Sequence, residues 1–297
     1  MNINASSLSE LYSGLNTSFN KGIGRTKTYW ETVAMEVTSS GREETYEWLA
    51  DMPGIREWIG DRIINELGGH KYAITNKLFE STIAVRRVDI EDDKYGVYGK
   101  QAEGMGHEVA MHPDDLVFSM LAKGTTTKCF DDQYFFDTDH PSYDADGEEV
   151  SASNYAAGTE RAWYMFDCSQ PLRAMVYQKR MPFDFQSITN PGDTHVFFKD
   201  EYLYGVRGRS NAGFGLWQLA YCNKNALNVA NFVASRTAMT RLRKGSGKPL
   251  GVSPTHLVVP PELEEQARAI LNAELINGGE SNVWAKSMEL IVTPFIE

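Results

Sequence analysis

The sequence predicts an α+β fold, and three observations carry the prediction. Phe79-Glu80-Ser81-Thr82-Ile83-Ala84-Val85-Arg86 alternates with period two, the pattern of a half-exposed antiparallel strand. A long apolar series at helical spacing follows, from about residue 90 to 123. From residue 195 onward, strand-like and helix-like segments alternate without an internal repeat.

Taken in order, residues 1–42 are rich in Ser, Thr, Asn and Gly. Leu8, Leu11 and Leu15 keep helical spacing, but Gly14, Gly22 and Gly24 weaken a helix there. The segment reads either as an arm lying on a neighbouring molecule or as a frayed terminus. Glu43–Asp51 reads as a short helix ended by Pro53. Ile55, Ile59, Ile63 and Leu67 would extend helix to Gly68, whereas a strand over 62–67 turning at Gly68-Gly69 fits equally. Tyr72 and Ile74 begin an alternation that continues into the 79–86 strand, so a long hairpin with one solvated face is expected.

Asp89-Ile90-Glu91-Asp92-Asp93 places carboxylates where they favour the positive end of a helix. Tyr95, Tyr98, Ala102, Met105 and Val109 continue that helix, and Pro113 suits the first turn of a further segment, so the helix over 90–123 should be slightly broken. Residues 125–160 are loop-rich. Strands are expected at Ala174–Tyr177, His195–Phe198, Tyr202–Arg207, Leu216–Tyr221, His256–Val259 and Met288–Phe295, with helices over 226–243 and 262–274.

Composition narrows the function. The 297 residues carry 42% hydrophobic and 23% charged residues, the profile of a folded chain. A formal net charge of -11 argues against tight nucleic-acid binding, although an acidic chain can enclose DNA without adhering to it. Cys129, Cys168 and Cys222 are odd in number and widely spaced, which fits reduced thiols better than a disulfide scaffold. Met1–Asn20 has no apolar core of the kind a signal peptide carries, and no membrane span is expected.

No motif rises to a catalytic signature. Gly245-Ser246-Gly247-Lys248 resembles part of a phosphate loop, but Leu242 and Pro249 stand where a glycine and a Ser or Thr are needed. A surface turn is the better reading. Cys129, Asp131, Asp132, Asp137, Asp139 and His140 cluster in one stretch and could offer ligands to a cation. Their spacing matches no EF-hand loop, the histidines form no HxxxH pair, and ordinary turn formation explains the stretch, so neither metal nor cofactor is expected. A Cys129–His140 nucleophile pair would need an activated thiolate, which sequence does not supply.

Several blocks in order resemble a known family: Thr45–Leu49 with Trp58–Arg62, Asn76–Val85, Asp89–Asp93, Cys129–Asp137 followed by Asp139-His140-Pro141, and Val258-Val259-Pro260. Their order and spacing resemble the major head subunit of Mu-like phages, the gpT family, over roughly residues 8–297. The resemblance implies the HK97-type capsid fold, with an N-terminal arm, an extended β-hairpin called the E-loop, a peripheral domain built on a long spine helix, and an axial domain. The arm would be 1–42 and the peripheral helices 43–124, with the E-loop within about 60–85 and the spine over about 90–123. Residues 125–194 would be mainly axial with exposed loops, 195–225 peripheral strands, and 226–297 axial with a closing C-terminal strand.

The resemblance also implies a non-enzymatic role: many copies assemble in the host cytoplasm, as hexamers and pentamers, into the icosahedral shell of a virion around double-stranded DNA. Portal and scaffold proteins would take part, a decoration protein could bind outside, and no membrane would be involved. No fused scaffolding segment is recognised, so a separate scaffold is expected, and no Lys–Asn crosslink is expected. Trp48, Trp58, Tyr72, Ile74, Phe79, Ile83 and Val85 are the candidate subunit contacts. The rival readings are an encapsulin-like compartment of the same fold and, in another class, a soluble metal-dependent enzyme with its site at 131–140.

Overall fold

A computed structural model describes residues 3–46, 72–92, 96–276 and 279–296. The N-terminal residues form a helix on the body of their own chain. Helix α1, Ala5–Arg25, opens on a capping box in which Asn4 and Ser7 satisfy each other's backbone N–H groups. It buries Leu8, Leu11, Leu15 and Phe19, the apolar stripe legible in the sequence. The expected arm on a neighbour is thereby corrected for this stretch. Gly14 and Gly24 meet open space, and Gly22 is a contact point rather than a weakness.

A short helix α2, Trp30–Val33, leads into strand β1, Ala34–Thr38. Buried Asp114 caps α2 from a distance: its carboxylate accepts the backbone N–H of Tyr29 at 3.0 Å and of Trp30 at 2.8 Å. Asp114→Ala would strand both donors in the interior, at a cost of about 2 kcal/mol. Urea unfolding of that variant measures it, and an unchanged midpoint would contradict the capping role.

Glu43–Thr45 is strand β2, not the start of the expected 43–51 helix; it pairs antiparallel with β3, Ala73–Thr75. The rest of that expected helix, and the helix-or-strand alternative over 55–67, lie outside the described residues. Strand β4, Lys77–Arg86, continues the chain. It lies antiparallel to a strand far away in sequence, from Glu201↔Arg86 to Ser210↔Lys77. Of the hairpin expected within 60–85, residues 60–71 lie outside the described residues, and the described strand pairs with residues 201–210: period-two alternation fixes a strand's face but not its partner.

Helix α3, Arg87–Glu91, precedes α4, Gly96–Ala122. At about 1.5 Å per residue, α4 is roughly 40 Å long, and Pro113 sits inside it without ending it. Residues 125–160 hold only short pieces: β5, His140–Tyr143, paired with β6, Glu149–Ala152, and then β7, Tyr155–Ala156. Strand β8, Trp163–Phe166, is buried along its whole length. Next come β9, Met175–Ile188, helix α5, Thr194–Lys199, and β10, Glu201–Phe214. The strand expected at His195–Phe198 is thus one turn of helix, fixed by the Asp193 side chain accepting the His195 N–H and by Asp200 in the left-handed region at φ 55°.

The C-terminal part contains β11, Ala220–Asn223, α6, Val229–Thr240, β12, His256–Val259, α7, Glu264–Leu271, the short pair β13, Leu275–Ile276, and β14, Glu280–Ser281, and β15, Glu289–Val292. Among the described residues, two larger sheets organise these elements. One has the order β1-β9-β10-β4, the other β15-β12-β8-β11-β7. Strand β9, from the stretch read as mainly axial, stands beside β10 in the first sheet, while β11 and the last strand β15 belong to the second.

Helix α4 joins two cores. Its N-terminal half contributes Ala102 and Met105 to a cluster with α1, β4, β9 and β10, while Val117, Phe118 and Leu121 enter a larger cluster with the second sheet. No helix among the described residues is long and apolar enough to cross a membrane.

Candidate assembly surfaces

Strands β2 and β3 are held to the body around one buried glutamine. The Tyr46 N–H donates to the Tyr72 carbonyl at 2.8 Å, one step beyond the Thr45↔Ala73 pair. Residues 47–71 between them are outside the described set. The buried Tyr46 hydroxyl donates to Gln178 Oε1 at 2.7 Å, and Gln178 Nε2 donates to the Ile74 carbonyl at 2.8 Å and to Asn76 Oδ1 at 2.9 Å. Tyr72 accepts the Phe214 N–H at 2.7 Å. Burial raises both phenol pKa values far above the ordinary range, so both tyrosines stay neutral hydrogen-bonding groups. A β2–β3 pair tied to β9 and β10 in this way is a fixed root for whatever it carries.

The seven candidate contacts separate on this geometry. Trp48 and Trp58 lie outside the described residues. Tyr72 and Ile74 belong to the root, with Ile74 4% exposed. Val85 is fully buried. Phe79 and Ile83 are partly covered, Phe79 by the His112 ring at 4.2 Å and Ile83 by the α1–α4 core. Ile74 and Val85 are therefore corrected as contact residues, because their own chain covers the apolar face of these strands.

Sequence reading missed the apolar side chains that do face outward here. Phe197 is 74% and Phe198 76% exposed, and Leu78 and Ile188 on strands of the first sheet are exposed as well. The signal was present in Asp193 and Asp200, which bracket a helical turn, but the four apolar-leaning residues between them were read as a strand.

The loop over 129–140, whose residues could offer ligands to a cation, closes on itself. The Cys129 thiol donates to Asp131 Oδ1 at 3.0 Å, and Asp131 Oδ2 meets His140 Nδ1 at 2.7 Å. His140 Nε2 lies 3.3 Å from the Phe135 carbonyl, and the ring stacks on Trp217 at 4.1 Å. These three groups could in principle hold a cation, but each donor atom already has a partner inside the protein. Burial drives Asp131 upward, and the hydrogen bonds from His140 and Cys129 outweigh it, leaving the carboxyl below its ordinary pKa. Burial pushes the Cys129 thiol far up, so it is no thiolate nucleophile.

The glycine–lysine stretch is a turn closed by Lys244 N–H on the Lys248 carbonyl at 2.9 Å. Gly247, at φ 74°, presses against the Ala145 backbone, and no side chain would fit there.

Comparison with known proteins decides what this architecture is for. The model of the Mu-like prophage major head subunit gpT family matches residues 8–296. The chain belongs to this family. Among its relatives, the Mu-like prophage FluMu major head subunit of Haemophilus influenzae is 38% identical over 281 residues, covering 92% of this chain and 91% of the relative. The major capsid protein of Escherichia phage Mu is 35% identical over 305 residues, covering all of both chains. Among solved structures, the chain matches the procapsid of bacteriophage JBD30 with TM-score 0.88 and 39% identity, over 99% of this chain and 100% of that one. It matches the JBD30 capsid with TM-score 0.79 and 28% identity, over 100% of both.

The Mu-like head subunit has the HK97-type α+β fold, and it is a structural protein of the phage capsid, not an enzyme. Its copies assemble into a shell, and its place is the virion capsid. The encapsulin and enzyme readings give way to this assignment.

Proposed function

We propose that this chain closes, in the host cytoplasm, into an icosahedral shell of hexamers and pentamers around double-stranded DNA, with residues 47–71 as the ribbon that clasps neighbouring subunits. The observation that carries this is the root: two strands rigidly tied to the body through Gln178 and Tyr72, with the chain between them leaving and returning at one point. A rigid root transmits the pull of a clasped ribbon to the whole subunit. Trp48 and Trp58 then act on the ribbon as contact residues. The first sheet with α1 and α4 is the peripheral layer, and the second sheet with α6 and α7 the axial one.

A separate scaffold and a portal take part in assembly, and a decoration protein binds outside. DNA is held without sequence-specific contacts, in keeping with a net charge of -11. Obligate interfaces of this kind commonly exceed roughly 2,000 Å².

The test is to replace residues 47–71 with a two-residue Asn-Gly turn that joins Tyr46 to Tyr72, a connection that suits an antiparallel pair. The variant should fold, with urea unfolding close to the parent, and should yield no closed shells by electron microscopy. Shells indistinguishable from the parent's would overturn the role of the ribbon.

A further inference from the structure

The loop over 129–140 gathers a thiol, a carboxylate and an imidazole, side chains that bind transition metals. Among the described residues, the ligand atoms of Cys129, Asp131 and His140 all lie within 4.8 Å of one another. Their spacing along the chain carries no metal signature; the fold brings them together. Without a metal their partners are largely each other: the thiol sits on Asp131 Oδ1 at 3.0 Å, and His140 Nδ1 on Asp131 Oδ2 at 2.7 Å. Contacts of this kind are held by protons, and metal binding releases protons.

The count of protons and charges favours that exchange. His140 Nε2 faces the Phe135 carbonyl at 3.3 Å, so this nitrogen carries a hydrogen. A second hydrogen lies between Nδ1 and the Asp131 carboxylate, and a third on the Cys129 sulfur. In that state the charges of the three side chains sum to zero. A divalent cation that displaces the second and third hydrogens is surrounded by a thiolate, a carboxylate and a neutral imidazole, and the sum is zero again. The exchange leaves no net charge in a place where Cys129 and His140 are both buried. The ligands are also aimed beforehand. The ring of His140, stacked on Trp217 at 4.1 Å with Nε2 on a backbone carbonyl, turns Nδ1 towards the cluster, the outer-shell arrangement usual for a metal-bound histidine. The Gln133 N–H on Asp131 Oδ1 at 3.2 Å orients the carboxylate.

We propose that Cys129, Asp131 and His140 bind a structural zinc ion. Thiolate and imidazole suit zinc, whereas calcium and magnesium call for shells of oxygen ligands. The sulfur, Nδ1 and both carboxylate oxygens supply the donors of a closed site, and coordination removes the thiol proton outright. The ion staples the turn at 129–133 to the start of β5. It does so where the chain has little else to hold it, since the strands β5, β6 and β7 are two to four residues long.

The test refolds the full chain from urea with and without zinc chloride, so that a buried ion can enter as the chain closes. Metal analysis after dialysis should find one zinc per chain, and the urea midpoint should rise with zinc concentration. Cobalt in place of zinc should give the charge-transfer absorption of a thiolate ligand. Cys129→Ser should abolish that absorption and weaken zinc binding by at least about tenfold, the loss that removing even an outer-shell partner produces. Cys168→Ser, outside the cluster, should keep both. X-ray absorption at the zinc edge of the parent, which needs no variant, should report one sulfur among the ligands. A parent that retains no zinc, a zinc without a sulfur ligand, a Cys129→Ser chain that binds as tightly as the parent, or loss of the cobalt absorption in Cys168→Ser overturns the proposal.

Discussion

Gly106→Val should separate α1 from α4 and destabilise the folded subunit by about 3 kcal/mol, the upper range for forcing atoms into a filled interface. The two helices touch backbone to backbone. A Cβ on Gly106 would collide with the Phe19 carbonyl, and a Cβ on Gly22 would collide with the Glu103 carbonyl. Neither obstacle is the end of a flexible side chain, so relief requires the helices to move apart. That movement would loosen Leu11, Leu15, Phe19, Ala102 and Met105 together. Gly22→Val should produce a similar loss, and the double variant much less than the sum, because the first substitution has already opened the shared contact. The contrast lies in glycines of the same two helices. Gly14 and Gly104 have nothing within 4 Å of an added Cβ. Alanine at either should be neutral or stabilising by up to about 1 kcal/mol, since alanine favours helix over glycine by that amount. Urea midpoints of the four single variants measure this directly, and equal midpoints for all four would refute the crossing.

Asp131→Ala should cost about 1–3 kcal/mol, the usual penalty for leaving buried hydrogen-bonding groups without their partner. The carboxylate is the hub of its loop: it meets His140 at 2.7 Å, accepts the Cys129 thiol at 3.0 Å and accepts the Gln133 N–H at 3.2 Å. Its loss leaves His140, fully buried against Trp217, without its anionic partner. The same group gives a pH dependence. Its folded pKa lies below the ordinary value of 3.8, so the native chain holds it ionised where the unfolded chain begins to take up a proton. Its contribution is complete above pH 3.8 and is lost as pH falls through the lowered folded value. Chemical unfolding followed from pH 6 down should therefore show a smaller acid loss in Asp131→Ala than in the parent. An identical acid slope in the two proteins would remove Asp131 as the cause.

How far the sequence disclosed this molecule depends on the range of the interaction involved. The long helix, read over 90–123, is found at Gly96–Ala122, because helical spacing is written within a few residues. The faces of β4 were legible for the same reason, but its partner was not. Pairing with β10 joins residues more than a hundred positions apart, and nothing in Phe79–Arg86 specifies it. Strand β2 was read as helix because three residues, Glu43–Thr45, carry too little pattern to outweigh helix-favouring neighbours. Gly22 looked like a breaker because its fitness depends on Glu103, on another helix. The family resemblance, resting on blocks in order along the chain, was legible from end to end. The contact residues were not, because burial by the chain's own helices and exposure to a neighbour leave the same apolar mark in a strand.

Electron microscopy of the full-length chain, expressed alone and together with the proposed scaffold protein, addresses the central claim. The account expects hollow, closed particles of uniform size whose wall is tiled by hexamers and pentamers of this chain. Monomers and small soluble oligomers under both conditions, with no closed particle, would contradict it.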